Sequence, residues 1–325
     1  MSTQTSRIDR SALEGLAGKT ILVTGAGGFI GSAVTEVLAS SSARVHALLG
    51  LPGERLWEPS HCVETCRGDI RDLDALSDFT KGAEIVVHAA GPPSVKESFA
   101  DPRHYASIHT VGTVTVMEAC RRSGVRRVVY LSSAEVYGQP STNSVAESHA
   151  IRPLSPYGAA KAAAEIFIQT IANASKMDYC ILRPFSIFGP RQPAGSLIDT
   201  LLRQIRQGDC IWLNDLRPVR DYCYARDVAE AIALACIVDA KQCTVNIASG
   251  KGTSAQEIAE LVLHLQGRDI PVREKARSDR PRSADVYHLI ADITKARTLL
   301  GWQPRTSLAE GLMETIAWMK QRDSW

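Results

Sequence analysis

Short apolar segments alternate with segments of helical length along the first half of this chain. The apolar segments are nearly continuous runs of hydrophobic residues, which is typical of strands covered on both faces. This alternation predicts an α/β fold built on a parallel, doubly wound sheet. The predicted strands span residues 20–25, 43–48, 83–90, 126–133 and 177–184, and the predicted helices span 31–40, 72–80, 102–123 and 156–174.

A glycine-rich turn joins the first predicted strand to the first predicted helix. In the segment TGAGGFIGS, Gly25, Gly28 and Gly31 stand three residues apart. Glycines at this place allow a tight turn, close approach of the backbone to a pyrophosphate, and close packing of the helix on the sheet. Because a strand precedes the turn and a helix follows it, the sequence predicts a Rossmann-type dinucleotide site. The expected cofactor contacts here are Gly25, Gly28, Phe29 and Ile30.

The alternation of apolar strands and helices becomes irregular after residue 184. Turn residues are frequent there, and most of the remaining chain has helical character. We therefore expect a flexible polar tail at residues 1–17 and a dinucleotide-binding domain at 18–184. A smaller, mostly helical substrate-binding lobe is expected at 185–325. The chain is expected to cross between the two lobes.

The charge balance bears on the class of partner. The 325 residues include 37 basic and 35 acidic side chains, a net charge of +2, and 45% of them are hydrophobic. Such a chain has no electrostatic reason to bind nucleic acid or an anionic membrane, so we expect a small substrate. The N-terminal segment lacks the apolar core of a signal peptide, and no run approaches the roughly 20 apolar residues that span a bilayer. We expect a cytoplasmic protein.

The eight cysteines are expected to be reduced thiols, because the sequence shows no signal peptide. His61, Cys62 and Cys66 form the one cluster that resembles a metal site. A C-x3-C spacing without a second pair of ligands is a weak zinc signal. The sequence therefore predicts no metal.

The residues expected near the adenosine leave the form of the cofactor open. In many such sites an acidic residue at the end of the second strand binds the ribose hydroxyls. Here Leu-Leu-Gly occupies residues 48–50 and Arg55 lies just beyond, so we expect NAD and keep NADP as the alternative. Asp69, with its neighbour Ile70, follows the third strand and is placed to reach the adenine. The alternative for Asp69 is a helix cap.

A tyrosine and a lysine four residues apart are the expected chemical centre. Tyr157 and Lys161 fall on one face of a predicted helix, so the ammonium is expected to stabilise the ionised phenol. A phenol whose pKa is normally near 10 could then act as a base close to neutral pH. Ser133 ends the preceding strand, where its hydroxyl could bind the same substrate oxygen.

Further segments match one family in order along the chain. They are HAAGPPSV (88–95), LRPFSIFGPRQ (182–192), VRDYCYARDVAEA (219–231), VNIASG (245–250) and ADITKARTLLGWQPRTSLAEGL (291–312). With these, the glycine turn and the Tyr-Lys pair, the chain resembles an extended short-chain dehydrogenase/reductase of the nucleotide-sugar epimerase/dehydratase family. The resemblance covers residues 20–318.

The resemblance implies roles for individual residues. Ser133, Tyr157 and Lys161 would form the catalytic group. Arg220 and Arg282 would hold the diphosphate of a nucleotide sugar, a task that suits guanidinium groups because they pair bidentately with phosphate oxygens. The alternative for both arginines is a solvated surface pair. The remaining expected contacts are His88, Ala89, Ala90, Tyr157, Lys161 and Pro184 with the cofactor, and Ser133 and Ser186 with the substrate.

Two positions depart from the family pattern. His109 stands in IHTVGT where relatives carry Asn, and Ser186 stands where they carry Asn in the R-x-F-N segment. Ser186 keeps a hydroxyl with a shorter reach toward substrate. His109 is expected to be a packed or hydrogen-bonded helix residue rather than a second base.

The resemblance implies a first step shared by several reactions. A hydride leaves sugar carbon 4 for the nicotinamide while Tyr157 takes the hydroxyl proton. Epimerisation then needs only return of the hydride to the other face. Dehydration needs a further proton donor, which relatives supply with an Asp-Glu pair where this chain has Ala134 and Glu135. Glu135 stays a candidate catalytic residue because a carboxylate there could assist several reactions.

We therefore expect a nucleotide-sugar 4-epimerase. The alternatives on the same scaffold are a decarboxylase, a 4-ketoreductase and a dehydratase. An alternative of another class is a non-catalytic dinucleotide-sensing module, since function depends on the site rather than the scaffold. The resemblance also implies a homodimer formed through the helices at 102–123 and 156–174.

Overall fold

A parallel seven-stranded sheet forms the centre of the larger lobe. The structure, a computed structural model, describes residues 10–50, 57, 63–275 and 285–322. The strands of the large sheet are β1 (Thr20–Thr24), β2 (Arg44–Leu49), β3 (Glu64–Arg67), β4 (Ile85–His88), β5 (Arg127–Leu131), β6 (Asp178–Pro184) and β10 (Gln242–Ile247). Their order is β10-β6-β5-β4-β1-β2-β3, and all neighbours are parallel. The predicted doubly wound fold is confirmed.

Helices cover both faces of this sheet. Alternate strand residues divide between two cores, so that Ile21 belongs to the apolar cluster on one face and its neighbour Leu22 to the cluster on the other. The helices are α1 (Phe29–Ser40), α2 (Leu73–Phe79), α3 (Val95–Ala100), α4 (Pro102–Ala106), α5 (Thr113–Ser123), α6 (Pro156–Ser175), α7 (Leu197–Gln207), α8 (Ala225–Ile237), α9 (Ala255–Gln266), α10 (Thr294–Leu300) and α11 (Leu308–Arg322).

The helix predicted at 102–123 is divided. A π-helical turn, Ser107–Gly112, separates α4 from α5. π-turns within helices occur frequently at functional sites, and this one lies against α6.

The smaller lobe has its own apolar core beneath α7, α9 and α11. Short strands accompany these helices: β7 (Ser186–Phe188), β8 (Ile211–Leu213), β9 (Val219–Tyr224), β11 (Gly252–Ser254), β12 (Val272–Glu274) and β13 (His288–Leu289). β9 pairs with β7, β11 and β13, and β8 pairs with β12. These strands were not predicted from the sequence, because most of them have only two or three residues, too few for a periodic signal.

Residues 10–16 differ from the flexible tail predicted for 1–17. Arg10–Leu16 forms a 3₁₀ turn, and its Leu13 and Leu16 are buried. Three-residue spacing places both side chains on one side of such a turn, which packs against α8.

Within the described residues, no helix is long and apolar enough to cross a membrane. In the same part of the chain, no group of His, Cys, Asp or Glu could hold a metal ion. Arg55, His61, Cys62 and Arg282, which the sequence analysis singled out, lie outside the described residues.

Candidate active site

The glycine turn between β1 and α1 fits a dinucleotide pyrophosphate. Gly25 has a φ of +70°, and a Cβ added there would lie 2.7 Å from the Cα of Ala90. At Gly31 an added Cβ would lie 1.9 Å from the carbonyl oxygen of Gly25. Helix α1 begins at Phe29, and no side chain caps its N-terminus, so its first amides are available to an anion. The turn therefore combines close backbone packing with an uncapped helix N-terminus.

The end of β4 lies beside this turn. The Ala89 amide donates to the carbonyl oxygen of Thr24 over 3.2 Å, which brings residues 89 and 90 next to the glycine turn. The His88 imidazole is buried, with Nδ1 2.7 Å from the Thr24 hydroxyl and Nε2 3.0 Å from the Thr113 hydroxyl. Burial, and then the charge of Lys161, lower the pKa of His88 to about 3. The neutral His88 ring thus ties β4 to β1 and α5.

Asp69 is tied to its neighbour rather than to a helix end. Its carboxylate pairs with the Arg71 guanidinium and accepts the Arg71 amide over 2.9 Å. The pKa of Asp69 is lowered, and the hydrogen bond from the Arg71 side chain is the largest cause. The residue that caps α2 is Asp72, which accepts the Ala75 amide. The helix-cap alternative for Asp69 is therefore wrong. Ile70 is buried beside it.

Two serine caps and one close backbone approach bring Ser133 and Tyr157 together. Ser133 lies two residues after β5, and its hydroxyl accepts the Glu135 amide over 3.2 Å, which starts a 3₁₀ turn at Ala134–Tyr137. Ser155 caps α6 by accepting the Gly158 amide. A Cβ at Gly158 would lie 2.6 Å from the carbonyl oxygen of Glu135, so the first turn of α6 lies against the 3₁₀ turn.

Tyr157 is 8% exposed, and its phenol contacts the Ser133 hydroxyl. Burial raises the pKa of Tyr157, while the hydrogen bond with Ser133 lowers it. The charge of Glu135, on the adjoining 3₁₀ turn, adds to the rise. The protonation state of the phenol therefore depends on the charges brought close to it.

Lys161 lies one helical turn beyond Tyr157 and is also buried. Its ammonium donates to the carbonyl oxygen of Leu131 over 2.6 Å and lies 4.8 Å from the centre of the Tyr130 ring. Burial lowers the pKa of Lys161 to about 7, and the charge of Glu165 opposes that shift. The predicted lowering of the phenol pKa by Lys161 is not found in this arrangement, because the ammonium is directed to Leu131.

Aromatic rings hold Tyr157 in place. The His109 ring on the π-turn packs edge-on against it at 5.3 Å, and the Tyr105 ring of α4 does so at 6.2 Å. The Nε2 atom of His109 lies 3.0 Å from the carbonyl oxygen of Pro92. Burial, and then the charge of Lys161, lower the pKa of His109 to about 2. His109 is therefore a packed neutral residue, as expected, and not a second base.

The candidate substrate residues lie on neighbouring strands of the smaller sheet. Ser186 opens β7 directly after Pro184 and Phe185, and it pairs in register with Tyr222 of β9. Arg220 lies two residues earlier on β9. Its guanidinium donates to the carbonyl oxygens of Val219 and Val286 over 3.1 and 2.6 Å. Ser186 and Arg220 thus share one region of the fold, and the Arg220 side chain is held by backbone atoms.

A buried charged pair beside Tyr157 and Lys161, formed by Glu165 and Arg183, was not predicted from the sequence. The signal for Glu165 was available, because it follows Lys161 by four residues and so continues the same helical face. For Arg183 no such signal exists, since a strand residue meets a helix residue only through the tertiary fold.

Comparison with known proteins gives consistent matches over most of the chain. The model of the family described as "NAD dependent epimerase/dehydratase family" matches residues 21–248. The UDP-glucose 4-epimerase of Mycolicibacterium smegmatis is 32% identical, over 93% of this chain and 98% of that protein. The dTDP-glucose 4,6-dehydratase of an Actinoplanes species is 30% identical, over 94% of this chain and 99% of that protein. Among solved structures, "MoeE5 in complex with UDP-glucose and NAD" is 33% identical with a TM-score of 0.84, covering 93% of this chain and 99% of that one.

Proposed function

The chain belongs to the NAD-dependent epimerase/dehydratase family, and we propose that it is a nucleotide-sugar 4-epimerase with the roles assigned below. It is an enzyme of the extended short-chain dehydrogenase/reductase type and uses NAD. A UDP-sugar is the proposed substrate. The observation that carries the proposal is the contact of the Ser133 hydroxyl with the Tyr157 phenol, with Lys161 one helical turn away.

In the proposed mechanism NAD, when bound, supplies a hydride acceptor that can return the hydride. Tyr157 accepts the proton of the sugar 4-hydroxyl as the hydride leaves carbon 4, so that the sugar becomes a 4-keto intermediate. Ser133 donates a hydrogen bond to the same oxygen. Tyr157 gives the proton back when the hydride returns to the opposite face of the sugar. No atom is gained or lost, and the configuration at carbon 4 is inverted.

Binding residues follow from the same geometry. The amides of the glycine turn and of α1 would hold the pyrophosphate of NAD, because no side chain caps the N-terminus of α1. Asp69 and Ile70 are proposed at the adenosine, and Ala89, Ala90 and Pro184 along the cofactor. Ser186 and Arg220 are proposed to hold the sugar and the diphosphate. Arg282, which lies outside the described residues, is proposed to bind the same diphosphate from the resemblance alone.

The two lobes are proposed to bind different ligands. We propose that residues 18–184 bind the dinucleotide and residues 185–325 bind the nucleotide sugar. The chain crosses back after residue 224, because α8 packs beside α1 and β10 pairs with β6 of the large sheet. β10 therefore supports the dinucleotide domain although it lies in the second half of the sequence.

A screen of products distinguishes epimerisation from its alternatives. Wild-type protein with NAD is incubated with UDP-, dTDP-, GDP- and CDP-sugars, and the products are analysed by mass spectrometry and NMR. Unchanged mass with inversion at carbon 4 supports the proposal. Loss of water would identify a dehydratase, in which Glu135 would be the remaining acid, and loss of carbon dioxide would identify a decarboxylase. Cofactor binding without turnover of any sugar would identify the sensing module.

We also propose a homodimer formed through α5, α6 and the π-turn. Val111, Ile166 and Phe167 are large apolar residues on these elements and are 55%, 63% and 43% exposed. Apolar groups exposed together often mark an interface. Light scattering should show a dimer for the wild type and a monomer for Ile166→Asp, and a monomeric wild type would refute the proposal. A cytoplasmic location is proposed from the sequence.

A further inference from the structure

A buried ionic network adjoins the catalytic group. The Glu165 carboxylate accepts hydrogen bonds from the Ser132 hydroxyl over 2.5 Å and from two nitrogen atoms of Arg183 over 3.0 and 2.6 Å. The Glu165 and Arg183 side chains are 1% and 4% exposed. A bidentate arginine holds a carboxylate in one orientation, so the charge of Glu165 has a fixed place.

The network also reaches the loop that carries Ser133 and the edge strand of the sheet. Ser132 immediately precedes Ser133. Arg183 donates to the Tyr137 hydroxyl over 2.9 Å, and that hydroxyl donates to the Asn246 side chain on β10 over 2.7 Å. Ser132 and Tyr137 stand at the two ends of the segment after β5. The network thus fixes that segment against α6, β6 and β10.

Glu165 shares a helix face with the catalytic residues. Tyr157, Lys161 and Glu165 follow one another at four-residue steps on α6, and all three are buried. Burial lowers the pKa of Lys161 to about 7, and the charge of Glu165 opposes that lowering. Without this carboxylate, the ammonium would have the Leu131 carbonyl and the face of the Tyr130 ring as its polar contacts.

Several titratable or charged groups face this site from the surrounding elements. His88 and His109 are neutral near pH 7, because burial depresses their pKa values. Burial raises the pKa of Tyr130 well above its ordinary value, so it is neutral too. The other groups are Tyr105 on α4, Glu135 on the 3₁₀ turn and Arg183 on β6. The charge of Glu135 acts on Tyr157, whereas that of Glu165 acts on Lys161.

We propose that Glu165 is a positioning residue for the reaction: held by Arg183 and Ser132, its carboxylate keeps Lys161 charged beside Tyr157. The proposal rests on the proposed function, in which Tyr157 is the proton acceptor and Lys161 lies one helical turn away. Glu165 touches neither substrate nor cofactor in this account. It acts through Lys161, and the Arg183 guanidinium holds the carboxylate in place.

Direct titration of Lys161 tests this independently of any activity. Protein carrying ¹³C at lysine Cε is titrated by NMR, and Lys161→Met assigns the resonance. In Glu165→Gln the midpoint for Lys161 should fall by about one to two pH units, because a unit charge one helical turn away is removed in a low-dielectric site. Glu84→Gln is the control. Glu84 also pairs with a lysine, Lys19, but precedes β4 at the other end of the sheet, and the Lys161 midpoint should not move.

Further variants separate the effect of the Glu165 charge from the effect of its shape. Glu165→Asp keeps the charge but shortens the side chain, so it should shift the midpoint less than Glu165→Gln, which keeps the shape and removes the charge. A larger shift in Glu165→Asp would overturn the proposal and assign Glu165 a purely structural role. If Glu165→Gln does not fold, the double variant Glu165→Gln/Arg183→Gln removes both members of the buried pair. It should still show a downward shift, smaller than that of the single variant because the positive charge of Arg183 is removed as well. An unchanged midpoint in that variant would overturn the proposal.

The reaction gives a second readout. In Glu165→Gln the alkaline limb of the kcat/KM profile should move to lower pH in parallel with the Lys161 midpoint, while activity at pH 6 falls less than activity at pH 8. A uniform loss at all pH values would overturn the inference. If the wild type epimerises no nucleotide sugar, the proposed function fails, and the NMR titration still decides whether Glu165 controls Lys161.

Discussion

Gly31, in the first turn of α1, offers a decisive perturbation of the glycine turn. A Cβ at this position would lie 1.9 Å from the carbonyl oxygen of Gly25 and 2.7 Å from its carbonyl carbon. Both atoms belong to the backbone and no side-chain rotation can relieve the contact. In Gly31→Ala the turn and the helix must therefore separate by roughly 1 Å or more to restore an ordinary contact distance.

The expected magnitudes follow from this displacement. Alanine would otherwise stabilise a helix interior by about 1 kcal/mol relative to glycine, and overpacking costs about 1–3 kcal/mol. We expect a net loss of up to about 2 kcal/mol in the free energy of unfolding, which leaves the protein folded. The larger effect falls on NAD. Losing one charge-assisted hydrogen bond, about 1.5–3 kcal/mol, weakens binding by roughly 10–150-fold.

Calorimetric titration with NAD measures this effect. Gly208→Ala is the matched control, because a Cβ at Gly208 would meet no atom closer than 3.8 Å. We expect the control to bind NAD as the wild type does. A folded Gly31→Ala protein with wild-type affinity would refute the assignment of this turn to the pyrophosphate, and so would equal weakening in both variants.

Three further predictions concern the reaction and the stability. Tyr157→Phe removes the proton acceptor and should lower kcat by about 10²–10⁴-fold with little change in the dissociation constant for NAD; near-normal turnover in a steady-state assay would exclude Tyr157 as the base. Arg220→Ala should raise KM for the nucleotide sugar by the equivalent of about 1.5–3 kcal/mol, and an unchanged KM would remove Arg220 from the site. Burial, and then the charge of Asp227, raise the pKa of Glu230 to about 7, so folding is disfavoured increasingly as the pH rises from about 4.5 to 7. Glu230→Gln should therefore stabilise the protein by about 1–3 kcal/mol at pH 8 and by little at pH 4 in urea denaturation, whereas equal effects at both pH values would contradict the assignment.

The sequence by itself determined the type of fold and predicted where the chemistry lies. Apolar strand segments between helices dictate a parallel sheet, since each strand is covered on both faces. The glycine spacing and the four-residue step from Tyr157 to Lys161 are local geometry, and local geometry can be worked out from a sequence. The same step places Glu165 on that face.

Tertiary structure decided what those residues do electrostatically. The depth at which α6 is buried governs the pKa values of Tyr157 and Lys161, and the strand neighbours decide that the ammonium meets the Leu131 carbonyl. The pairing of Glu165 with Arg183 joins residues 18 positions apart on a helix and a strand. Burial and long-range charge depend on every element around a site, so no local pattern can specify them.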